Sequence, residues 1–242
     1  MHLKPTLFVS DLHLDESRPG ITAQFERFLE GPAAKAAALY ILGDLFEYWV
    51  GDDSLDMPLA QRVALKLEDA AVRCPVYFMH GNRDFLIAER FAEATGVKLL
   101  EDPTVIDLYG RRTVLLHGDT LCTDDQQYQA FRRMVRDPTW QSSALARPID
   151  ERLAIAQDMR LRSEGAKDGK PMALMDVSPA TVERVFRETG ADAMIHGHTH
   201  RPAKHESMVD GRKRPRWVLA DWYDRGSYLE VSPEGTRAVD GF

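Results

Sequence analysis

Five apolar runs in this chain each break off into a short polar string. Leu7-Phe8-Val9 precedes Asp11-Leu12-His13, Leu39-Tyr40-Ile41-Leu42 precedes Gly43-Asp44, and Val76-Tyr77-Phe78-Met79 precedes Gly81-Asn82-Arg83-Asp84. Val114-Leu115-Leu116 precedes His117-Gly118-Asp119, and Ala193-Met194-Ile195 precedes Gly197-His198-Thr199-His200. Short runs rich in β-branched, aromatic and aliphatic residues read as buried strands. Between them, residues 21–29, 59–72, 85–94 and 179–189 carry apolar side chains at helical spacing. Strand and helix alternate, so the chain is expected to form a layered α/β fold with its polar strings gathered at strand ends. Ser178 ahead of Pro179 marks one helix start, an N-cap followed by proline in the first turn. After Ala203 the pattern shifts to short strands at 205–209, 216–219 and 228–231 with Gly, Asp and Pro between them, an antiparallel closing portion.

Residues 122–175 interrupt the alternation with helical stretches at 128–135 and 150–162, mixed charges and a glycine-bearing string from Glu164 to Lys170. The reading is one domain, 1–242, carrying a helical insertion or lid at 122–175. Because the insertion falls between two of the polar strings, it is placed to stand above them. A solvated helical hairpin with no substrate role accounts for the same pattern. At 242 residues and 44% hydrophobic, the chain can bury one full core. A net charge of -7 argues against a general nucleic-acid partner, which needs an excess of Lys and Arg. Cys74 and Cys122 are too few for a disulfide framework and read as buried thiols in a reducing compartment. The N-terminus passes almost directly into a strand, and no apolar run reaches the ~20 residues of a membrane span. The expectation is a protein that is soluble or only peripheral to a membrane, with no obligate protein partner.

The polar strings hold carboxylates and imidazoles without thiolates. That donor set suits divalent manganese, iron or zinc in a catalytic site better than a structural zinc cage. Asp11 and His13, two apart, face one ion if the chain stays extended there. Two cations held close together share a ligand, and Asp44, alone after Gly43, is the natural bridge. Glycines 43, 81, 118 and 197 allow sharp turns and close approach at each strand end. His2, His80, His196 and His205 fall outside the pattern and are assigned no metal. Asp84 is expected to orient neighbouring groups, and Asp52, Asp53, Asp119 and Asp124 to do likewise or to cap turns. Phe46, Tyr48 and Trp49 either shape the pocket wall or pack in the core.

In its order Asp-x-His, Gly-Asp, Gly-Asn-x-Asp, His-Gly-Asp, Gly-His-x-His, the chain resembles the calcineurin-like metallophosphoesterase superfamily over Asp11 to His200. The resemblance implies a β-sandwich flanked by helices. It also implies that Asp11, His13, Asp44 and His200 hold one ion and that Asp44, Asn82, His117 and His198 hold the other. Longer strings, among them Gly43-Asp44-Leu45-Phe46-Glu47, His80-Gly81-Asn82-Arg83-Asp84-Phe85-Leu86 and His196-Gly197-His198-Thr199-His200-Arg201-Pro202, resemble more narrowly the UDP-2,3-diacylglucosamine diphosphatase family of lipid A biosynthesis. That resemblance implies hydrolysis of a lipid-linked nucleotide sugar to UMP and 2,3-diacylglucosamine 1-phosphate, with two Mn2+ ions, at the cytoplasmic face of the inner membrane. By position it implies substrate contacts at Asn82, Arg83, Asp125, Ser163, Lys167, Lys170 and His198. Relatives often carry asparagine where this chain has Lys167, and an apolar stretch where this chain has the more polar residues 138–148. Trp140, Leu145, Ile149, Leu153, Ile155 and Met159 either line a lipid groove or pack between the insertion helices. Arg132, Arg133 and Arg136 either face anionic headgroups or form a solvated helix face.

Many members of the superfamily have histidine at the Arg83 position, where it can protonate a leaving alkoxide. A diphosphate expels a phosphate monoester whose second pKa is ~6 and which needs no proton donor. An always-charged arginine can instead bind phosphate oxygens as charge develops. The expected catalytic residues are therefore Asp44, Asn82 and Arg83, with metal-activated water attacking the phosphorus next to uridine. The alternative is another dimetal phosphodiesterase or nuclease of the same superfamily.

Overall fold

A computed structural model describes residues 3–167 and 176–242, leaving aside the side chains of Ser163, Glu164, Ala166 and Lys167. The first half lays down four strands in parallel, β1 (Thr6–Val9), β2 (Ala38–Leu42), β3 (Val76–Met79) and β4 (Lys98–Leu100). Between them run the helices α1 (Pro19–Glu30), α2 (Pro58–Arg73) and α3 (Glu89–Thr95). Pro19 and Pro58 sit in the first turns of α1 and α2, where a missing N–H is of no consequence. A second sheet forms from β5 (Thr104–Leu108), β6 (Arg111–Leu115), β7 (Ala193–His196), β8 (Ala203–Val209) and β9 (Arg212–Val218), in the order β5-β6-β7-β9-β8. The closing strands β10 (Ser227–Ser232) and β11 (Gly235–Asp240) return to the first sheet, whose order is β11-β10-β1-β2-β3-β4.

Side-chain alternation along each strand sorts the core into layers. Leu7, Val9, Leu39, Ile41, Val76 and Phe78 face α1–α3. Phe8, Leu42 and Met79 point the other way and meet Leu115, Ile195 and Leu219 between the sheets. Val114 and Met194 turn outward to Val182 and Phe186 of α7 (Pro179–Thr189). The fold is thus a β-sandwich flanked by helices. The closing portion is antiparallel where β8 meets β9 and where β10 meets β1 and β11, but β9 runs parallel to β7. Ser178 stands at the N-cap of α7 without a side-chain capping bond; its backbone N–H donates to Leu121 O instead.

Residues 122–175 contain α4 (Gln126–Val135), α5 (Pro138–Leu145) and α6 (Ile149–Lys167), all outside both sheets. Helix α5 lies in the segment that carried no helical expectation; Asp137 caps it, accepting from Thr139 N and Trp140 N, with Pro138 in its first turn. The insertion is tied to the body by arginines. Arg132 pairs with Asp119 at 2.7 Å and Arg136 donates to Gly81 O at 2.7 Å while stacking on Phe85, so these two face inward and only Arg133 is solvated. Arg152, buried in α6, donates to Val50 O and forks onto both oxygens of Asp53.

Candidate metal centre

All the strands that carry a polar string point their C-terminal ends the same way within their sheet: β1, β2 and β3 are mutually parallel, as are β6 and β7. The strings therefore meet along one edge of the sandwich, the position where open α/β sheets place their ligand sites. The loops are laced to one another. Asp11 N–H donates to Gly43 O at 3.0 Å and His13 N–H to Asp44 O at 2.9 Å. Across the two sheets, His198 N–H donates to Asp11 Oδ2 at 2.9 Å.

The expectation that Asp11 and His13 share an extended strand fails, because β1 ends at Val9 and both residues have left-handed backbone, φ 55° and 49°. Asp44, His198 and His200 do too, so five of the seven non-glycine residues with positive φ among the described residues are expected metal ligands. Strained backbone of this kind persists only where the surroundings over-determine it. Gly81 and Gly197 supply the close approach: a Cβ on Gly81 would stand 2.8 Å from Asp44 Cγ, and one on Gly197 would collide with Asp11 Oδ2.

All seven expected ligands come together. The ligand atoms of Asp11, His13 and His200 lie within 4.8 Å of one another, as do those of Asp11, Asp44 and His117. His13 Nε2 and His200 Nε2 face each other at 3.4 Å, and His200 Nε2 is 3.4 Å from Asp11 Oδ1. Asn82 Oδ1 is 3.1 Å from His117 Nε2 and 2.9 Å from His198 Nδ1. Ligands about 2.1 Å from one ion stand roughly 3.0–3.4 Å apart, so these spacings are edges of a coordination shell. Asp44 Oδ2 lies 3.8 Å from both His13 Nε2 and His117 Nε2, midway between the two groups. Asp11 is common to both groups as well, which the sequence reading did not anticipate.

The electrostatics ask for positive charge. Burial, with Asp84 and Asp11 alongside, lifts Asp44 to about 7. Burial opposes charge on His117 too, but Asp44, Asp11 and Asp119 outweigh it and raise the imidazole to about 9. Burial and the neighbouring His117 push His198 down to about 3, keeping it neutral and able to ligate. Asp11 Oδ1 is buried and makes no hydrogen bond of normal geometry. A divalent cation offsets this buried negative charge and replaces the proton it attracts; oxygen and imidazole donors of this kind fit one.

The supporting shell follows in part from the sequence. Asp84 accepts from Leu45 N at 2.7 Å and Gly81 N at 2.8 Å, fixing the loops after β2 and β3. Asp52 accepts from Trp49 Nε1, Ala88 N and Phe91 N, and Asp119 from Tyr128 Oη and Arg132 Nε. Phe46 and Trp49 pack in the core against Phe91. His80 turns to Ile87 O, and neutral His196 is buried against Arg216 and Gly197 O. Asp125 caps α4 by accepting from Tyr128 N at 3.0 Å. The expected substrate contacts Ser163, Lys167 and Lys170 lie outside the residues and side chains described. Glu47 was missed: it is 2% exposed and faces His13 Nδ1, Arg18, Arg83 and Arg160. Its signal was a lone carboxylate in the apolar string Leu45-Phe46-Glu47-Tyr48-Trp49. Tyr223, stacked on His13 at 5.2 Å, had no signal in its local string.

Comparison with known proteins agrees with this geometry. The family model for calcineurin-like phosphoesterases matches residues 4–202. A protein of Aromatoleum aromaticum named UDP-2,3-diacylglucosamine hydrolase is 50% identical, with 95% of this chain and 94% of its own length covered. A Serratia proteamaculans protein of the same name is 49% identical, with 97% and 98% covered. Among solved structures, an archaeal phosphodiesterase superposes with a TM-score of 0.50 at 12% identity, covering 98% of this chain and 99% of its own, a likeness of fold.

Proposed function

The chain belongs to the calcineurin-like phosphoesterase family, in the branch of the UDP-2,3-diacylglucosamine hydrolases, and from that premise we propose that it hydrolyses the diphosphate of UDP-2,3-diacylglucosamine to UMP and 2,3-diacylglucosamine 1-phosphate in lipid A biosynthesis. The observation that carries the reading is the convergence of all seven ligand positions in a chain 50% identical, over nearly its whole length, to relatives of that name. Asp11, His13, Asp44 and His200 would hold one divalent cation, and Asp44, Asn82, His117 and His198 the other, with manganese the proposed metal. Such cations neutralise phosphoryl oxygens and lower the pKa of water at the site.

The chain's own residues do the positioning. Asp44 ties the two halves: its Oδ1 accepts the Arg83 N–H at 2.8 Å while its Oδ2 faces both histidine groups. Asn82 presents its amide oxygen to His117 and His198, so its NH₂ points away and is available to a phosphate oxygen. Arg83 supplies a fixed charge to the phosphate that departs with the sugar, while water attacks the phosphorus next to uridine. Asp125, Ser163, Lys167, Lys170 and His198 are the proposed further substrate contacts. Among the described residues no helix is long and apolar enough to cross a membrane; the lipid substrate supports a peripheral place on the cytoplasmic face of the inner membrane.

The test is UMP release by purified protein with manganese or chelator, beside Asp44→Ala and an aryl phosphodiester substrate. Release that depends on manganese and on Asp44 is expected, with little diester cleavage; diester cleavage alone would move the chain to a broader phosphodiesterase role. Hydrolysis in oxygen-18 water should place the label in UMP, and label in the sugar phosphate would refute the direction of attack.

A further inference from the structure

Burying a carboxylate is unfavourable unless it is paired, and pairing normally brings neutrality. Glu47 departs from that rule. Its side chain is 2% exposed, yet three guanidiniums converge on it: Arg160 Nε at 3.0 Å, Arg18 Nη2 at 3.5 Å and Arg83 Nη1 at 4.0 Å. Asp15 also lies close to Arg18 and Arg160, so the cluster gathers at least two carboxylates with the three guanidiniums beside the metal centre. A diphosphate diester carries two negative charges, and guanidiniums gathered beside the metal centre suit it. The three arginines come from separate parts of the chain, Arg18 ahead of α1, Arg83 after β3 and Arg160 from α6 of the insertion. Without a common anion they would repel one another.

Arg83 makes the longest of the three contacts. Its backbone is clamped at both ends of the residue, N–H to Asp44 Oδ1 at 2.8 Å and C=O to Trp49 N–H at 3.0 Å. Its Nε is buried with no hydrogen-bond partner, and its reach to Glu47 is at the limit of an ion pair. A buried donor in this state has room for a partner that binding can bring.

We propose that Glu47 is a positioning residue: it aims the guanidinium of Arg83 at the departing phosphate. The inference rests on the diphosphatase reading for its substrate. Glu47 also lies 3.5 Å from His13 Nδ1, so the test must separate action through Arg83 from action through the metal.

Glu47→Gln keeps the side chain's shape and removes its charge. In manganese-loaded protein, E47Q should lose about 10- to 100-fold in kcat/KM for UMP release, and Arg83→Ala about 100- to 1000-fold. The double variant should lose no more than Arg83→Ala alone, since nothing is left to position. Glu47→Asp should recover part of the loss, and metal content per chain should stay at the wild-type value. Losses that multiply in the double variant overturn the proposal, and so does an E47Q protein that has shed its metal. Running the cycle also on an aryl phosphodiester keeps the two readings apart: wild-type protein that cleaves only the diester sinks the lipid substrate and leaves the cycle readable. Calorimetric binding of methylenediphosphonate to the same four proteins gives the cycle a readout that needs no turnover, and E47D serves in it if E47Q does not fold.

Discussion

Adding a single methyl group at Gly81 tests whether contact between the β2 and β3 loops sets the site. The Cβ of Gly81→Ala would stand 2.8 Å from Asp44 Cγ and closer still to Asp44 Oδ1 and N, where ordinary contact begins at 3.4 Å. Asp44 N is backbone, held by the same loop that passes its C=O to His13 N–H, so it cannot swing aside as a side chain would. The loops must part by about 1 Å, and overpacking of this kind costs about 1–3 kcal/mol. A catalytic group misplaced by about 1 Å loses roughly 100-fold in rate. Gly81→Ala should therefore lower kcat/KM by about two orders of magnitude and lower Tm by several degrees, with part of the metal lost. The control is Gly20→Ala in the first turn of α1, where nothing lies within 4 Å of the added methyl and neither quantity should move. Near wild-type turnover in Gly81→Ala at unchanged Tm would refute the claim that this contact positions Asp44.

Asp44→Asn should keep the fold, since burial with Asp11 and Asp84 disfavours its charge, yet reduce bound metal per chain, measured by mass spectrometry of the desalted protein, and lower kcat by at least about 100-fold. Chelation should lower Tm, because a cation held at 100 times its Kd adds about 2.7 kcal/mol to the folded state; a Tm indifferent to chelator and added manganese would argue against resident ions. Arg152→Ala removes the buried donor to Val50 O and Asp53, costing about 1–3 kcal/mol, and should speed limited proteolysis within 138–167 while leaving the sheets protected. Arg83→Lys keeps the charge but loses the planar fork, and should rescue only a small part of the Arg83→Ala deficit in kcat/KM.

What the sequence made legible was what depends on local periodicity. The apolar runs of β1, β2, β3, β6 and β7 are buried or half-buried on both faces, so they are continuous and plain to read. Strand β4 is three residues long, and β5 and β11 are mostly half-buried or exposed, which leaves no apolar run to detect. Residues 85–88 show helical spacing but form a loop, because Asp52 caps the following helix from outside, accepting from Ala88 N and Phe91 N and so setting its start near Glu89. The insertion helices bury little of their own surface, and their arginine ties to Asp119, Gly81 and Asp53 go to partners outside the insertion. No pattern within 122–175 could have announced them.

At the site, residue types were readable but geometry was not. Asp11 and His13 look like neighbours on one face of a strand, and they converge through left-handed turns instead. Each such residue costs on the order of 1–3 kcal/mol of strain, and five of them cluster on one edge of the sandwich. Backbone bonds between loops, such as Asp11 N–H to Gly43 O and Gly197 N–H to His117 O, hold that strain in place. The ligands are thus held by the loops and sheets beneath them, and the charge they concentrate is what cations would offset. Glu47 belongs to the same logic in reverse: a buried anion placed so that cations of the protein, rather than of a metal, crowd where a phosphate will sit. The two kinds of positive charge flank one edge, and a diphosphate bridging them would have its scissile bond at the boundary between metal-held and arginine-held phosphates.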